Sequence, residues 1–193
     1  MGRPWADGVG NFMGSTCVHI AQGDPPPATL AFVAGIAVHE AVATFVDQTD
    51  DLRLKWPNDL LLNGGKLAGI LLEAQGSTVV AGIGVNLISA PVVEGRVTIA
   101  LAQAGEAPKR DAFAIRLAAS FASGLAHWRK YGKAAVLTRW LQLAHPEGTA
   151  MRVHEPGGAV LQGKFNGLDA DGALKLHLAD GTIRLVHAGD VSV

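Results

Sequence analysis

Residues 55–73 read Lys-Trp-Pro-Asn-Asp-Leu-Leu-Leu-Asn-Gly-Gly-Lys-Leu-Ala-Gly-Ile-Leu-Leu-Glu, and they constrain the fold more than any other stretch of the chain. Asn63-Gly64-Gly65 supplies the positive-φ residues of a tight turn, and the apolar runs Leu60–Leu62 and Leu67–Glu73 flank it. The pattern predicts a β-hairpin. Gly76-Ser77 turns the chain again, so Thr78–Leu87 reads as the third strand of a meander, and Leu52–Lys55 reads as a short strand ended by Trp56-Pro57. Pro57-Asn58-Asp59 taken alone is ordinary turn chemistry. A segment built only for packing has no use for Lys55, Asn58, Asp59 and Lys66 between strand-like runs. These polar residues point to one shared pocket wall.

The flanking sequence supplies helices. Residues 9–20 suggest a further strand, with Phe12, Cys17, Val18 and Ile20, and Gly23-Asp24-Pro25-Pro26-Pro27 then makes a loop that no sheet ladder can continue through. From Ala28 to Val46 apolar residues recur at helical intervals, with Thr29 as candidate cap. Asp111 is the expected cap of a helix to about Tyr131, with Phe113, Leu117, Phe121, Leu125 and Trp128 on one face, and a second helix covers about Lys133–Leu143. His145-Pro146-Glu147-Gly148 then marks a boundary. Beyond it, short runs at Ala150–Val153, Val160–Leu168, Leu174–Leu178 and Thr182–His187 predict a small all-β unit. So short a unit must lean on its neighbour to bury a core. The expected domains are 1–146 and 147–193.

Composition narrows the function classes. The 193 residues are 49% hydrophobic with a net charge of −1 and no basic run, which argues against a duplex-binding surface. No segment is apolar and long enough to span a bilayer, so the chain reads as cytoplasmic, with no membrane partner. The single cysteine, Cys17, excludes an internal disulfide framework and reads as a small core residue. There is no GxxxxGK[ST] phosphate loop, and His39-Glu40 begins a zincin-like string in which Ala43 replaces the second histidine. Gly82-Ile83-Gly84 lacks the third glycine of a dinucleotide fingerprint.

Taken together, the motifs resemble the biotin protein ligases. KWPND is followed by GKLAGIL and Glu73; GIGVNL at 82–87 is similar to the family's next strand; GKFNGLDADGALKL and GTIRLVHAGDVS, within 163–192, resemble its small C-terminal domain. These motifs cover nearly the whole chain in the family's order. The resemblance implies an α+β fold: a class II synthetase-like ligase domain, with a mixed β-sheet and helices packed on one face, followed by an SH3-like β-barrel. It implies ATP-dependent formation of biotinyl-adenylate, then transfer of biotin to a lysine of a biotin carboxyl carrier domain of a biotin-dependent carboxylase. The substrates and cofactors it implies are biotin, ATP and Mg²⁺.

Residue roles follow from the same resemblance. Lys66 matches the catalytic lysine between biotin and the α-phosphate, and Lys66, Gly69, Gly82 and Trp5 would form the biotin site. Arg3, Trp5, Lys55, Asn58, Asp59 and Asn86 would serve ATP and the adenylate, with Asp59 and Asn86 also orienting Mg²⁺. A fixed ammonium suits this chemistry, because the carboxylate and triphosphate repel each other and the transition state gathers negative charge. The chain begins Met1-Gly2-Arg3-Pro4-Trp5, matching only the end of the family's GRGRRGR.W loop, and the preceding Ser-Thr-Asn strand is not in the sequence. The expectation is an N-terminally truncated ligase, and the alternative is a catalytically inactive carrier- or nucleotide-binding module of the same fold. A homodimer is left open. With no winged-helix domain in the sequence, no nucleic-acid partner is expected.

Overall fold

The computed structural model describes residues 8–47 and 51–193. Five strands, β1 (Phe12–His19), β2 (Leu52–Lys55), β3 (Asp59–Leu62), β4 (Gly65–Gln75) and β5 (Thr78–Val85), form the first sheet in the order β1-β5-β4-β3-β2. The β3–β4 turn forms at Asn63-Gly64, whose φ values of 48° and 79° match the strand twist. Every ladder described in this sheet is antiparallel. The parallel part of the expected mixed sheet is confined to single bridges, Leu54 with Ala144 and Lys66 with Thr98.

Two helices cover the sheet. α1 (Leu30–Val42) is buried on nearly every side, because it lies between strands β2–β5 and α2 (Arg110–Leu143). α2 breaks where the sequence separated two helices, at Gly132, whose φ of 79° interrupts the helical ladder. Asp111 does not cap it. Lys109 holds the cap position, and Asp111 stands in the first turn, where a carboxylate favours the positive helix end. Thr29 is likewise no side-chain cap: its hydroxyl donates to the Pro26 carbonyl (2.6 Å) and accepts from Trp128 Nε1 (2.8 Å), tying α1 to α2. Strand alternation turns Val18 inward and leaves Cys17 exposed on the edge strand, against the expectation of a core cysteine.

The second sheet comprises β6 (Ala150–His154), β7 (Val160–Leu168), β8 (Leu174–His177), β9 (Ile183–Val186) and β10 (Asp190–Ser192), in the order β10-β6-β7-β8-β9. Its hydrogen-bonded order ends at β10 and β9 rather than closing as a barrel. The inward residues Met151, Val153, Phe165, Leu174, Leu176 and Val191 join the same core as the helices. The two units meet at a turn. Gly172 (φ 89°) is so close to Phe32 that an added Cβ would lie 2.6 Å from its ring, and the Gly172 carbonyl accepts a hydrogen bond from buried Trp56 Nε1 at 3.0 Å. Among the described residues no helix is long and apolar enough to cross a membrane.

Candidate active site

Three charged residues meet through strand register. β2 and β3 pair Lys55 with Asp59, and β3 and β4 pair Asp59 with Gly69. Regular alternation would send Lys66, three residues before Gly69, to the other face. A bulge intervenes: Leu60 pairs with Ala68 but Leu61 pairs with Lys66, so one extra β4 residue flips the parity. Lys66 thereby shares the face of Asp59, and the two form an ion pair. Lys55 Nζ lies 3.0 Å from the other carboxylate oxygen, Oδ2, and donates to the Val191 carbonyl at 2.6 Å. The side chains of Lys55 and Asp59 are 9% and 5% exposed, against 30% for Lys66. Two ammoniums around one carboxylate leave one net positive charge, and only Lys66 presents it to solvent. Lys66 meets Asp59 at the first carboxylate oxygen, Oδ1, and Lys55 at the second.

This trio forms the floor of a cavity of about 870 Å³. Gly69 and Asn86 line it, the loop from Pro91 to Thr98 forms one rim, and His154 and Asp190 of the second sheet, with Pro156 and Gly189 from its adjoining loops, form another. Arg96 and Asp190 pair across the rims. The loop is stitched to Lys66: its N–H donates to the Val97 carbonyl (2.9 Å), and its carbonyl accepts from Ile99 N–H (3.1 Å). Asn86 Nδ2 adds hydrogen bonds to the carbonyls of Lys66 (3.3 Å) and Ile99 (3.2 Å).

The expected site residues therefore separate into groups. Lys66, Asp59, Gly69 and Asn86 come together at the cavity, whereas Lys55 is committed to Asp59 and Val191. Asn58 lines the cavity, but its Nδ2 donates to the Ile70 carbonyl (2.6 Å) and its own carbonyl accepts from Ile70 N–H (3.0 Å), which fixes the turn on β4. Gly82 is not brought to the cavity; it sits within the sheet between Ser15 and Leu71. Arg3 and Trp5 lie outside the described residues. Asp59 does not fit the implied Mg²⁺ as arranged, because its carboxylate is already held by two ammoniums, whereas the two carbonyl contacts of Asn86 engage Nδ2 and not Oδ1, the atom a hard cation would take. Among the described residues no group of three or more His, Cys, Asp or Glu could hold a metal. The reading from residues missed Arg96, Asp190 and Val191. Arg96 stands in a loop without periodicity, and β10 is too short to show alternation.

Comparison with known proteins agrees with this fold. A model of the biotin/lipoate A/B protein ligase family matches residues 1–88, and one of the biotin protein ligase C terminal domain matches residues 150–193. A biotin–[acetyl-CoA-carboxylase] ligase of Paracoccus denitrificans is 39% identical over 186 residues, covering 91% of this chain and 77% of that protein. A ligase of the same name from Mycobacterium tuberculosis is 35% identical over 164 residues, covering 84% of this chain but 61% of its own length. The fold matches that of the biotin protein ligase from Aquifex aeolicus in complex with biotin and ATP, with a TM-score of 0.83, 21% identity, and coverage of 99% of this chain and 81% of that one. The family models and these relatives thus define an enzyme class, the protein-modifying ligases. Within it, this chain belongs to the biotin protein ligase family.

Proposed function

We propose that the chain is a biotin–carrier-protein ligase acting in two steps at the cavity beside Lys66. A carboxylate oxygen of biotin attacks the α-phosphorus of ATP, the bond to the β-phosphate oxygen breaks, and pyrophosphate leaves. The neutral amine of a carrier-domain lysine then attacks the acyl carbon of biotinyl-adenylate. AMP departs, the nitrogen loses a proton, and an amide remains. The names of the Paracoccus and Mycobacterium relatives support the substrate class, and the observation that carries the reading is the trio's one net positive charge, presented by Lys66.

Lys66 is the catalytic residue of this reading. Its ammonium, anchored through backbone hydrogen bonds on both sides, bridges the incoming carboxylate and the α-phosphoryl oxygens and offsets the charge that accumulates there. Lys66 is the most exposed of the three charged side chains, so it can meet a substrate oxygen from its place beside Asp59, whose second oxygen stays paired with Lys55. Gly69 leaves room for the biotin carboxyl group against β4, and Asn86 holds the rim loop beside the adenylate. Arg3 and Trp5 complete the adenylate site in this reading. Residues 1–146 form the catalytic domain and 147–193 the C-terminal one, in keeping with the strand-rich texture after Pro146.

The test is biotin-dependent exchange of pyrophosphate into ATP by the full chain, followed by biotin transfer to a purified carrier domain. Lys66→Ala should lose about 2–4 kcal/mol of transition-state stabilisation, seen as a fall of roughly 30- to 1000-fold in kcat/KM. Exchange untouched by that substitution refutes the role of Lys66. Carrier binding without any exchange by the unsubstituted chain selects the inactive binding module instead.

A further inference from the structure

We propose that Lys55 is a positioning residue for Lys66, acting through Asp59 and anchored to the C-terminal sheet by the Val191 carbonyl. The proposal rests on the reading of Lys66 given above for its functional meaning, though its geometry stands independently. Lys55 lies at the end of β2, directly opposite Asp59 in register, with its ammonium between Asp59 Oδ2 at 3.0 Å and the Val191 carbonyl at 2.6 Å. Its side chain is 9% exposed, too enclosed to meet a triphosphate without leaving both partners. Its chemistry is therefore directed inward.

The physical consequence is competition for one carboxylate. Inside a poorly solvated wall, charges act on one another more strongly than at a wet surface. The negative charge that Lys55 offsets on Asp59 is not available to hold Lys66. With Lys55 in place, Lys66 is paired yet releasable. Without it, Asp59 grips Lys66 alone and keeps the ammonium from the substrate oxygens. The Val191 carbonyl sets where Lys55 sits, and Val191 belongs to a three-residue edge strand whose neighbour Asp190 pairs with Arg96 on the cavity rim. One short strand of the second sheet thus grips the first domain on both sides of the cavity, and its seating is relayed from Val191 through Lys55 and Asp59 to Lys66.

Lys55→Met, Asp59→Asn and the double variant test this in the full chain, with folding checked by thermal melts. The first readout is the acetylation rate of Lys66 by an N-hydroxysuccinimide ester at fixed pH, measured by peptide mass spectrometry, which needs no turnover. Lys55→Met should slow labelling about three- to fivefold, the factor a partly screened ion pair commands. Asp59→Asn should speed it, and the double variant should return close to the unsubstituted rate. The second readout is pyrophosphate exchange, where Lys55→Met should lower kcat more than it raises KM, and adding Asp59→Asn should recover part of the loss. If Lys55 merely clasped the two domains, the double variant would be as slow as Lys55→Met or slower, and the relay is then wrong. Unchanged Lys66 labelling in Lys55→Met overturns it too, whatever the turnover. Should Lys55→Met not fold, Lys55→Gln keeps a donor for Val191 without the charge: slow labelling supports the relay and unchanged labelling overturns it. Absence of exchange by the unsubstituted chain refutes the ligase reading alone, and the labelling comparison still decides the relay.

Discussion

The two sheets handle polar groups in opposite ways. In the second sheet β6 alternates exposed and buried residues along its length, so Arg152 and His154 point to water while Met151 and Val153 fill the core. In the first sheet every residue of β3 is buried, and Lys55 and Asp59 go inside with it. A strand with one wet face leaves its charges in solvent at little cost, whereas a strand buried on both faces must partner them. Here part of that partnering comes from the other sheet, through the Val191 carbonyl on Lys55, while the Gly172 carbonyl in the β7–β8 turn takes the buried Trp56 indole N–H. The second sheet is therefore part of the first domain's electrostatics as well as its neighbour.

That contrast can be broken most severely at the contact itself. Gly172→Val adds a branched side chain at φ 89°, where the first new atom already meets the Phe32 ring. It should cost about 3 kcal/mol or more, as strain and overpacking combine. Chemical denaturation should show this loss, and a variant within about 0.5 kcal/mol of the parent would mean that the turn does not seat the sheet as described.

Acid should separate the two regions next. Burial is the main cause that holds His39 down to about 4 from 6.5, with Arg139 and Arg53 adding to it and a backbone hydrogen bond at Leu52 opposing it. The folded value lies below the unfolded one, so the unfolded chain takes up the proton first. Stability present above about pH 6.5 is lost as the pH falls towards 4, by about 2 kcal/mol after discounting for partial exposure. His145, also lowered by burial, works in the same direction. In the second sheet the relevant groups are Asp169 and Asp180. Burial raises the Asp169 carboxyl, but the backbone N–H groups of Ala173, Asp171 and Gly172 outweigh it and hold it below its ordinary value; hydrogen bonds from Thr182 lower Asp180. Their contribution persists down to the ordinary carboxylate value of 3.8 and is lost only below it. Calorimetric melts from about pH 7 down to 4.5 should fall steadily in the parent and much less in His39→Gln. Equal slopes would remove His39 as the cause.

The smallest effect sharpens the contact between the sheets. Trp56→Phe keeps most of the buried ring but leaves the Gly172 carbonyl without its donor, at a cost of about 1–2 kcal/mol. The expected signature is a lower midpoint in urea with an unchanged slope. A changed slope would instead indicate that the second sheet has come loose from the first.

Much of the fold was legible because its signals are local. Asn63-Gly64 specifies its turn within two residues, and Gly132 divides α2 where the apolar face of the first helix ends. The candidate site was legible as a cluster of polar residue types but not in the direction of their contacts. Lys55, Asn58 and Asn86 all carry groups suited to ATP, yet each commits donors to a backbone carbonyl: Val191, Ile70, and Lys66 with Ile99, respectively. Which partner an ammonium or amide finds depends on contacts up to 136 residues away, as for Lys55, and no local pattern encodes them. The bulge that turns Lys66 towards Asp59 was hidden for a related reason, since GKLAGIL reads as an unbroken strand. Thr29 and Asp111 carry the chemistry of helix caps, but tertiary contacts to Trp128 and the position of Lys109 assign them other work.

The stitching of the rim loop to Lys66 has a consequence for anyone remodelling this protein. Residues 97–99 are bound through their backbone to the residue that carries the charge, while the reversal at Val93 and Arg96 closes on itself with a 3.1 Å hydrogen bond and Gly95 takes a φ of 71°. Lengthening the loop at that reversal would leave the anchor in register. One residue inserted between Arg96 and Ile99 would put at least one of the two anchors to Lys66 out of register and strain the strand that carries it. The loop therefore has a tolerant apex and an intolerant root, and a library of loop lengths should be varied only at the apex.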